Sequence, residues 1–245
     1  MRAAFALAGI LLAAASAAEA GDWADRAILG FSPDGGTFAF EEFGVQDGSG
    51  FPYSNIYIVD LAKDEWVGGS PFRVLLNDES ASYERGAFDA RVEAQGEAAK
   101  SIEQLGLHAP AQVLAMIGDG DPGKDGLSLR FARPGYFPGE TFEEYQLTLE
   151  QFPLADSGDD LDCEELLGEQ AKGFALSLTG EGLDVEVHRD EAVPGSRVCP
   201  SSYRIYAVVA PQYASGPGEM VAIVSVYQLG FEGPDRRFIA VPLAE

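Results

Sequence analysis

The sequence is poor in the residues that build metal and thiol sites, with two histidines and two cysteines among 245 residues. A zinc site needs three or four His, Cys or carboxylate ligands, and serine-nucleophile chemistry needs a His base with an orienting acid. His108 follows a predicted helix and His188 ends a predicted strand, and neither has neighbours that mark it as a base. We therefore expect neither a zinc centre nor a catalytic triad.

Basic residues are also scarce. Lys and Arg number 16 against 40 Asp and Glu, which gives a formal net charge of -24. Nucleic acid is therefore excluded as an expected partner, because neutralising phosphates requires clustered Lys and Arg. The same charge disfavours an anionic membrane surface. It favours salt-sensitive association with basic partners.

A long apolar run occurs only at the N-terminus, where residues 3–15 follow Arg2. These 13 residues are too few to cross a bilayer, which takes roughly 20. The small-x-small pattern at 18–20 is typical of a cleavage site. We predict a signal peptide over 1–20, a single mature domain over 21–245 in the periplasm or outside the cell, and no membrane span after cleavage.

Export makes the two cysteines interpretable. An oxidising compartment favours a disulfide between Cys163 and Cys199, and the alternative is two buried free thiols. The bond would close a loop spanning 36 positions. Chain entropy assigns such a loop roughly 3–4 kcal/mol.

Most of the mature chain has the pattern of short strands. Alternating apolar residues and turns at intervals of about 8–12 residues predict a mainly β, antiparallel sheet or sandwich-like single domain with one or two helices, an α+β arrangement. A second, short helix is expected around Leu166. The predicted strands cover residues 37–43, 55–60, 72–76, 113–117, 127–133, 144–152, 174–178, 183–187, 203–210, 220–229 and 238–241.

The spacing of apolar residues changes from the alternation of strands to a helical spacing over residues 79–106, where it is shown by Phe88, Val92, Ala99 and Ile102. Alanine is abundant there, which also favours helix. We predict an amphipathic helix that packs this stripe on a sheet. The alternative is a helix that binds a partner.

Residues 31–35, 38–40 and 55–61 resemble one blade of periplasmic β-propellers, with a turn, a strand, a Gly-containing loop and a second strand. The expectation is a propeller-blade-like hairpin near the N-terminus. A complete propeller needs at least four blades, and the predicted helix interrupts the chain.

A longer match involves both ends of the mature chain. Residues 30–35, 40–53 and 230–241 resemble a family of predicted secreted bacterial proteins, domain of unknown function 2259. The resemblance implies export and one domain over about 21–245. It implies no activity.

Two carboxylates stand out in the strand at 37–43. If Phe38 and Phe40 face the core, Glu42 shares their side and Glu41 points outward, because strand side chains alternate. A carboxylate on a core face must be paired, hydrogen-bonded or protonated. Glu42 could tether the backbone of the Gly-rich loop 44–54. Alternatively, a ligand cleft could be lined by Glu42, Asp47, Phe51 and Tyr53, and Glu41 is a further ligand-binding candidate.

Asp119, Asp121 and Asp125 are the candidate cation ligands, in the loop of a hairpin that we predict between the strands at 113–117 and 127–133. Alternate Asp carboxylates in a Gly-rich loop can wrap Ca²⁺ with oxygen atoms, although this spacing lacks the full calcium-loop signature. Asp and Gly are also ordinary turn residues, so a plain turn is the alternative. The acidic run 156–162 is ambiguous in the same way. No other cofactor is expected.

Arg236 and Arg237 form the tight basic pair of this acidic chain. They could pair with the acidic surface, at up to about 1 kcal/mol per exposed pair, or they could bind an anion.

These features favour an exported, non-enzymatic binding or envelope-associated module whose partner is an unknown envelope protein or a small ligand. The alternative is a carboxylate-dependent hydrolase that acts on an envelope glycan or peptide through Glu41 or Glu42.

Overall fold

Strands dominate the computed structural model, which describes residues 21–77, 85–121, 123–155 and 162–244. The predicted signal peptide and most of the acidic run at 156–162 lie outside these residues. The strands are β1 (Asp25–Phe31), β2 (Thr37–Val45), β3 (Pro52–Asp60), β4 (Glu65–Trp66), β5 (Phe72–Leu75), β6 (Ala111–Met116), β7 (Ser128–Pro134), β8 (Thr141–Pro153), β9 (Lys172–Gly180), β10 (Leu183–Arg189), β11 (Pro200–Pro211), β12 (Val221–Gln228) and β13 (Asp235–Pro242). The helices are α1 (Ala87–Leu105) and α2 (Cys163–Leu167), with a 3₁₀ turn at Pro217–Glu219.

The strands form three antiparallel sheets. The first sheet has the order β1-β2-β3-β4, with β5 also paired to β3. The central sheet has the order β13-β12-β11-β6, and the third has the order β10-β9-β8-β7. The sheets do not close into a barrel, and together they confirm the predicted mainly β, α+β single domain.

The central sheet is covered on both faces, which explains its long apolar strands. Tyr203, Ile205 and Val224 face the third sheet in one core cluster. Val209 and Phe238 face the first sheet in a second cluster. The layers are therefore helix α1, first sheet, central sheet and third sheet.

Helix α1 packs on the first sheet through a face other than the predicted one. Its buried residues are Ala90, Ala94 and Ala98, each 0% exposed, whereas Phe88 is 74% and Val92 53% exposed. The three alanines lie four residues apart, so they form one narrow stripe. Small side chains let the helix backbone approach the sheet closely. The prediction of the packed stripe was therefore wrong.

The ends of helix α1 have ordinary caps. Asp89 accepts a hydrogen bond from the backbone N–H of Gly86, and the helix ends at Gly106 with φ of 63°. Glycine adopts this left-handed conformation without a steric penalty, which makes it a common helix terminator. The described helix thus begins at residue 87, and residues 79–84 of the predicted helical segment lie outside the described residues.

Two local expectations need correction. The strands at 113–117 and 127–133 do not form a hairpin, because β6 pairs with β11 in the central sheet and β7 pairs with β8 in the third. The propeller-blade likeness near the N-terminus is not confirmed. Strands β1 to β3 form an antiparallel meander whose outer face carries helix α1.

The predicted disulfide between Cys163 and Cys199 is present and joins the start of α2 to the segment before β11. Both cysteines are buried, in a small cluster with Ala171 and Val193. The bond therefore ties the connection that follows β8 to the central sheet.

Candidate functional site

Glu41 lies between the first sheet and helix α1. It is 0% exposed, so the expectation that it points outward was wrong. Its carboxylate accepts hydrogen bonds from Ser54 Oγ (2.9 Å), Arg91 Nε and Nη2 (3.0 and 2.9 Å) and Gln95 Nε2 (3.1 Å). A carboxylate with this many charge-assisted and neutral partners clamps the helix to β2 and β3.

Glu42 points to the opposite side, between the first and central sheets. Its carboxylate accepts from Phe238 N (2.8 Å), Asn55 Nδ2 (3.1 Å) and Tyr57 OH (3.4 Å). Burial raises the pKa of Glu42, and the nearby positive charge of Arg237 only partly offsets this. Glu42 therefore tethers β13 to the first sheet rather than the loop 44–54.

Tyr53 and Arg237 belong to the same interior cluster, together with Asp22. Arg237 Nη2 donates to the Asp22 carboxylate at 2.6 Å, and Tyr53 OH donates to it at 3.0 Å. Burial raises the pKa of Asp22 despite these partners. The cluster joins the N-terminal segment to β13.

Arg236 is buried as well and does not pair on an exposed surface. Its Nη1 donates to Asp119 at 2.6 Å, its Nη2 donates to the Ala24 carbonyl at 2.9 Å, and its guanidinium lies 4.8 Å from the Trp23 ring centre. Both arginines thus hold residues 22–24 against the edge of the central sheet. They are committed to contacts within the chain.

The remaining candidates of the predicted cleft lie in the loop after β2. Gly48 of this loop approaches the ring of Phe231, so the loops at 46–51 and 229–233 meet. Asp47 Oδ2 is buried and has no hydrogen-bond partner among the described residues. Phe51 is half-buried near the loop end. The structure therefore brings Glu42, Tyr53 and Arg237 together inside the protein and leaves Glu41 on the other face of the sheet.

The aspartates of the loop after β6 have other partners. Asp119 binds Arg236, and the carboxylate of Asp125 accepts a hydrogen bond from Leu127 N at 2.9 Å. Over residues 21–77, 85–121, 123–155 and 162–244, no group of three or more His, Cys, Asp or Glu side chains could hold a metal ion. Asp121 therefore does not join the other two in a cation site.

A different constellation lies around Asp190, which follows β10. Its carboxylate accepts from Arg197 Nη1 at 2.9 and 2.7 Å and from Phe174 N at 3.0 Å, and it lies 3.0 Å from His188 Nε2. Burial pushes its pKa upward, but the hydrogen bond to His188 and the charge of Arg197 outweigh this and hold the pKa below its ordinary value. Asp190 thus orients both a histidine and an arginine.

A β-bulge aims His188. The register of β10 against β9 shifts between Glu186 and His188, so Val187 and His188 both turn inward. In a regular strand neighbouring side chains would face opposite sides. The imidazole stacks on the buried ring of Phe174 at 4.6 Å between ring centres.

His188 and Arg197 line a cleft of about 150 Å³ on the flank where strands β4, β13 and β10 are the edges of their sheets. The cleft separates these charged groups from an aromatic wall on the first sheet. We call it the flank cleft. The residues that matter below are Tyr57, Asp64, Trp66, His188, Ser196 and Arg197.

The acidic group of the flank cleft is Asp64, which lies in the turn before β4. Its side chain remains reachable from solvent, yet the surrounding protein desolvates the carboxylate and raises its pKa. The electrostatic influence of His188 and Arg197 acts in the opposite direction and lowers the pKa of Asp64. The cleft therefore holds a carboxylate close to an imidazole and a guanidinium.

Backbone groups of β13, an edge strand of the central sheet, also line the flank cleft. Arg236 N donates to the Asp22 carbonyl and Phe238 N donates to Glu42, both on the side away from β12. Alternate residues of a strand direct their backbone groups to the same side, and the register against β12 is regular. The N–H and C=O of Ala240 therefore point into the flank cleft.

The sequence analysis did not predict this site, because the residues next to His188 in the chain do not mark it as a base. A signal was present, since His188 and Asp190 lie two residues apart at the end of a strand, where side chains share a face. Asp64 and Trp66 lie far from His188 in the chain, and Arg197 lies in the irregular segment between β10 and β11, so no strand or helix period joins them to His188.

The match to known families covers most of the described fold. The family model for domain of unknown function 2259, described as a predicted secreted protein, matches residues 39–244. The chain belongs to this family. The match to DUF2259 includes all the strand residues that line the flank cleft, and it begins after β1.

The family's description supports secretion and assigns no activity. No curated protein and no solved structure matches the chain. Neither described helix is long and apolar enough to cross a membrane.

Proposed function

We propose that the protein is an exported, non-enzymatic binding module that holds a small, uncharged polar ring, such as a sugar, in the flank cleft. The observation that carries the proposal is the arrangement of His188 and Arg197 opposite the first sheet, which contributes Asp64 together with the aromatic side chains of Tyr57 and Trp66. Its location, in the periplasm or outside the cell, is part of the proposal and can be read from cell fractionation.

The charges of the flank cleft favour a neutral ligand. Arg197 is neutralised by Asp190, and Asp64 adds a negative charge beside them. Hydroxyl groups suit such a site, because each can both donate and accept a hydrogen bond.

The size of the cleft agrees with a single ring. Its volume is about 150 Å³, and an engineered cavity of about that volume holds one benzene molecule. The C–H face of a pyranose can pack against an aromatic side chain while its hydroxyls meet polar groups. Trp66 is 47% exposed and is available for such contact.

The two tryptophans of the chain allow a direct test. In a Trp23→Phe background, Trp66 is the one remaining tryptophan, so its emission reports the flank cleft. Titration with glucose, N-acetylglucosamine and their oligosaccharides should change this emission in a saturable way. Asp64→Asn and Ser196→Ala, both exposed positions, should weaken binding, whereas the exposed control Asp184→Asn should not.

The proposal is wrong if Trp66 responds to none of these sugars at millimolar concentration. It is also wrong if the control variant weakens binding as much as the cleft variants do. Unchanged circular dichroism spectra would show that each variant is folded.

One observation favours a second candidate function, hydrolysis. Asp64 has a raised pKa and interacts with His188, whose ring is held by a buried carboxylate. Such pairs can act as acid and base. Release of new reducing ends or amines from envelope glycan or peptide, abolished by Asp64→Asn, would support hydrolysis and exclude a purely binding role.

A further inference from the structure

A second cleft lies on the opposite flank, where β1 and β6 are the edge strands of their sheets. The two strands meet at Phe31 and Ala109, which exchange backbone hydrogen bonds of 3.0 and 3.2 Å. Away from this bridge the strands separate and leave a cleft of about 210 Å³ between the first and central sheets. We call it the apolar cleft.

Hydrocarbon forms most of its lining. Ile28 contributes from β1, Val113 and Met116 from β6, and Ile223 from the central sheet. Val113 is 52% and Met116 54% exposed, so two large apolar side chains face solvent inside a cleft. Uncovered apolar surface of this kind has a favourable free energy of transfer into contact with an aliphatic ligand.

A β-bulge places these two side chains together. The register of β6 against β11 shifts between Val113 and Ala115, and Leu114 is the extra residue. Residues three apart would point to opposite faces of a regular strand, but the bulge turns Val113 and Met116 to the same face. Leu114 and Ala115 pack instead against the core on the other side.

Arg26 is the charged residue among the described lining of the apolar cleft. Its guanidinium lies 4.0 Å from the ring centre of Tyr206, and its Nη1 donates to Asp25 at 3.0 Å. Nε and Nη2 have no hydrogen-bond partner among the described residues, and the side chain is 25% exposed. An oxyanion at the mouth of the cleft could accept from these nitrogens.

We propose that the apolar cleft binds a medium-chain aliphatic carboxylate, with its chain between β1 and β6 and its carboxylate at Arg26. The volume sets the chain length. Scaling from the six carbons of benzene in a cavity of about 150 Å³, a cleft of 210 Å³ holds about eight carbons. Octanoate is therefore the reference probe. The site is independent of the flank cleft and of the proposed sugar.

Methionine methyl groups give a direct readout. The mature chain has two methionines, Met116 in the apolar cleft and Met220 at 0% exposure in the core. In a sample labelled with ¹³C at the methionine methyls, octanoate should shift the Met116 signal saturably and leave Met220 in place. Affinity should rise about fourfold per added methylene up to about eight carbons and then level off.

Variants separate the two parts of the site. Arg26→Gln should weaken octanoate binding roughly tenfold or more, and should leave octanol binding unchanged. Val113→Trp should fill the cleft and abolish binding of both probes. Val92→Trp, at an exposed position of helix α1, is the matched control and should change neither.

An unmoved Met116 signal overturns the proposal, and so does equal binding by the Val113→Trp variant. If octanol binds the wild type as tightly as octanoate, the role of Arg26 is refuted. Loss of the folded methyl spectrum in Val113→Trp would be detected directly, and the smaller Val113→Ser change then tests the same surface by weakening binding. None of these outcomes bears on the sugar titration.

Discussion

The clamp between Glu41 and helix α1 predicts a large loss of stability when the carboxylate is removed. Glu41→Ala leaves Arg91, Gln95 and Ser54 without their shared acceptor beneath the helix. Removing one partner of a buried ion pair costs about 3–5 kcal/mol. Arg91 retains 29% of its side-chain exposure and can regain water, so we expect the lower end, about 3 kcal/mol.

Urea denaturation followed by circular dichroism measures the loss of unfolding free energy directly, and thermal denaturation gives a second measure. For a chain of this size 1 kcal/mol corresponds to about 2–4 °C, so the melting temperature should fall by about 6–12 °C. The control is Glu93→Ala, which removes the surface ion pair with Arg85, where the side chains are 48% and 35% exposed. This change should cost less than about 1 kcal/mol.

A double variant tests the cause. In Glu41→Leu with Arg91→Leu, no unpaired charge remains, so stability should lie closer to wild type than in Glu41→Ala. Glu41 does not hold the helix as described if the unfolding free energy of Glu41→Ala lies within about 1 kcal/mol of the wild-type value, or if the loss is no larger than that of the Glu93→Ala control.

Three further predictions concern the other layers. Replacing Cys163 and Cys199 by alanine opens the loop of 36 positions and should lower the free energy of unfolding by roughly 3–4 kcal/mol. Dithiothreitol should lower the stability of the wild type by the same amount and should leave the double variant unchanged. Ala94→Leu should cost about 1–3 kcal/mol by overpacking the helix against the sheet, whereas Gly96→Ala, with open space around it, should be neutral or stabilising. The pKa of Asp190 is held below its ordinary 3.8, so its carboxylate stabilises the fold above that pH and loses this contribution as the pH falls. The difference in unfolding free energy between wild type and Asp190→Asn should therefore narrow below about pH 4. A difference that stays constant with pH would contradict the lowered pKa of Asp190.

The pattern of residues along the chain was enough to predict the class of fold. Alternation of apolar residues identified most of the strands but missed β1, and alanine content identified helix α1, because both patterns depend on local backbone geometry. Even count and export predicted the disulfide between Cys163 and Cys199. The same alternation placed Glu42 on the side of Phe38 and Phe40.

What covers each face of a strand depended on the tertiary structure. Glu41 was expected to meet solvent, but helix α1 lies over that face and buries it. Phe88 and Val92 were expected to be packed, yet the close approach of helix and sheet selected the alanines instead. Contacts of this kind involve residues far apart in sequence, so no local period contains them.

Both clefts are likewise products of the way the three sheets stack. Each lies where edge strands of different sheets come side by side, and in each a β-bulge turns a side chain from its regular face, His188 in one and Val113 in the other. Periodicity in the sequence assumes a regular strand, so a bulge is invisible to it. The sequence by itself determined most of the strands, the disulfide and secretion, whereas only the stacking of the sheets decided where a ligand could bind.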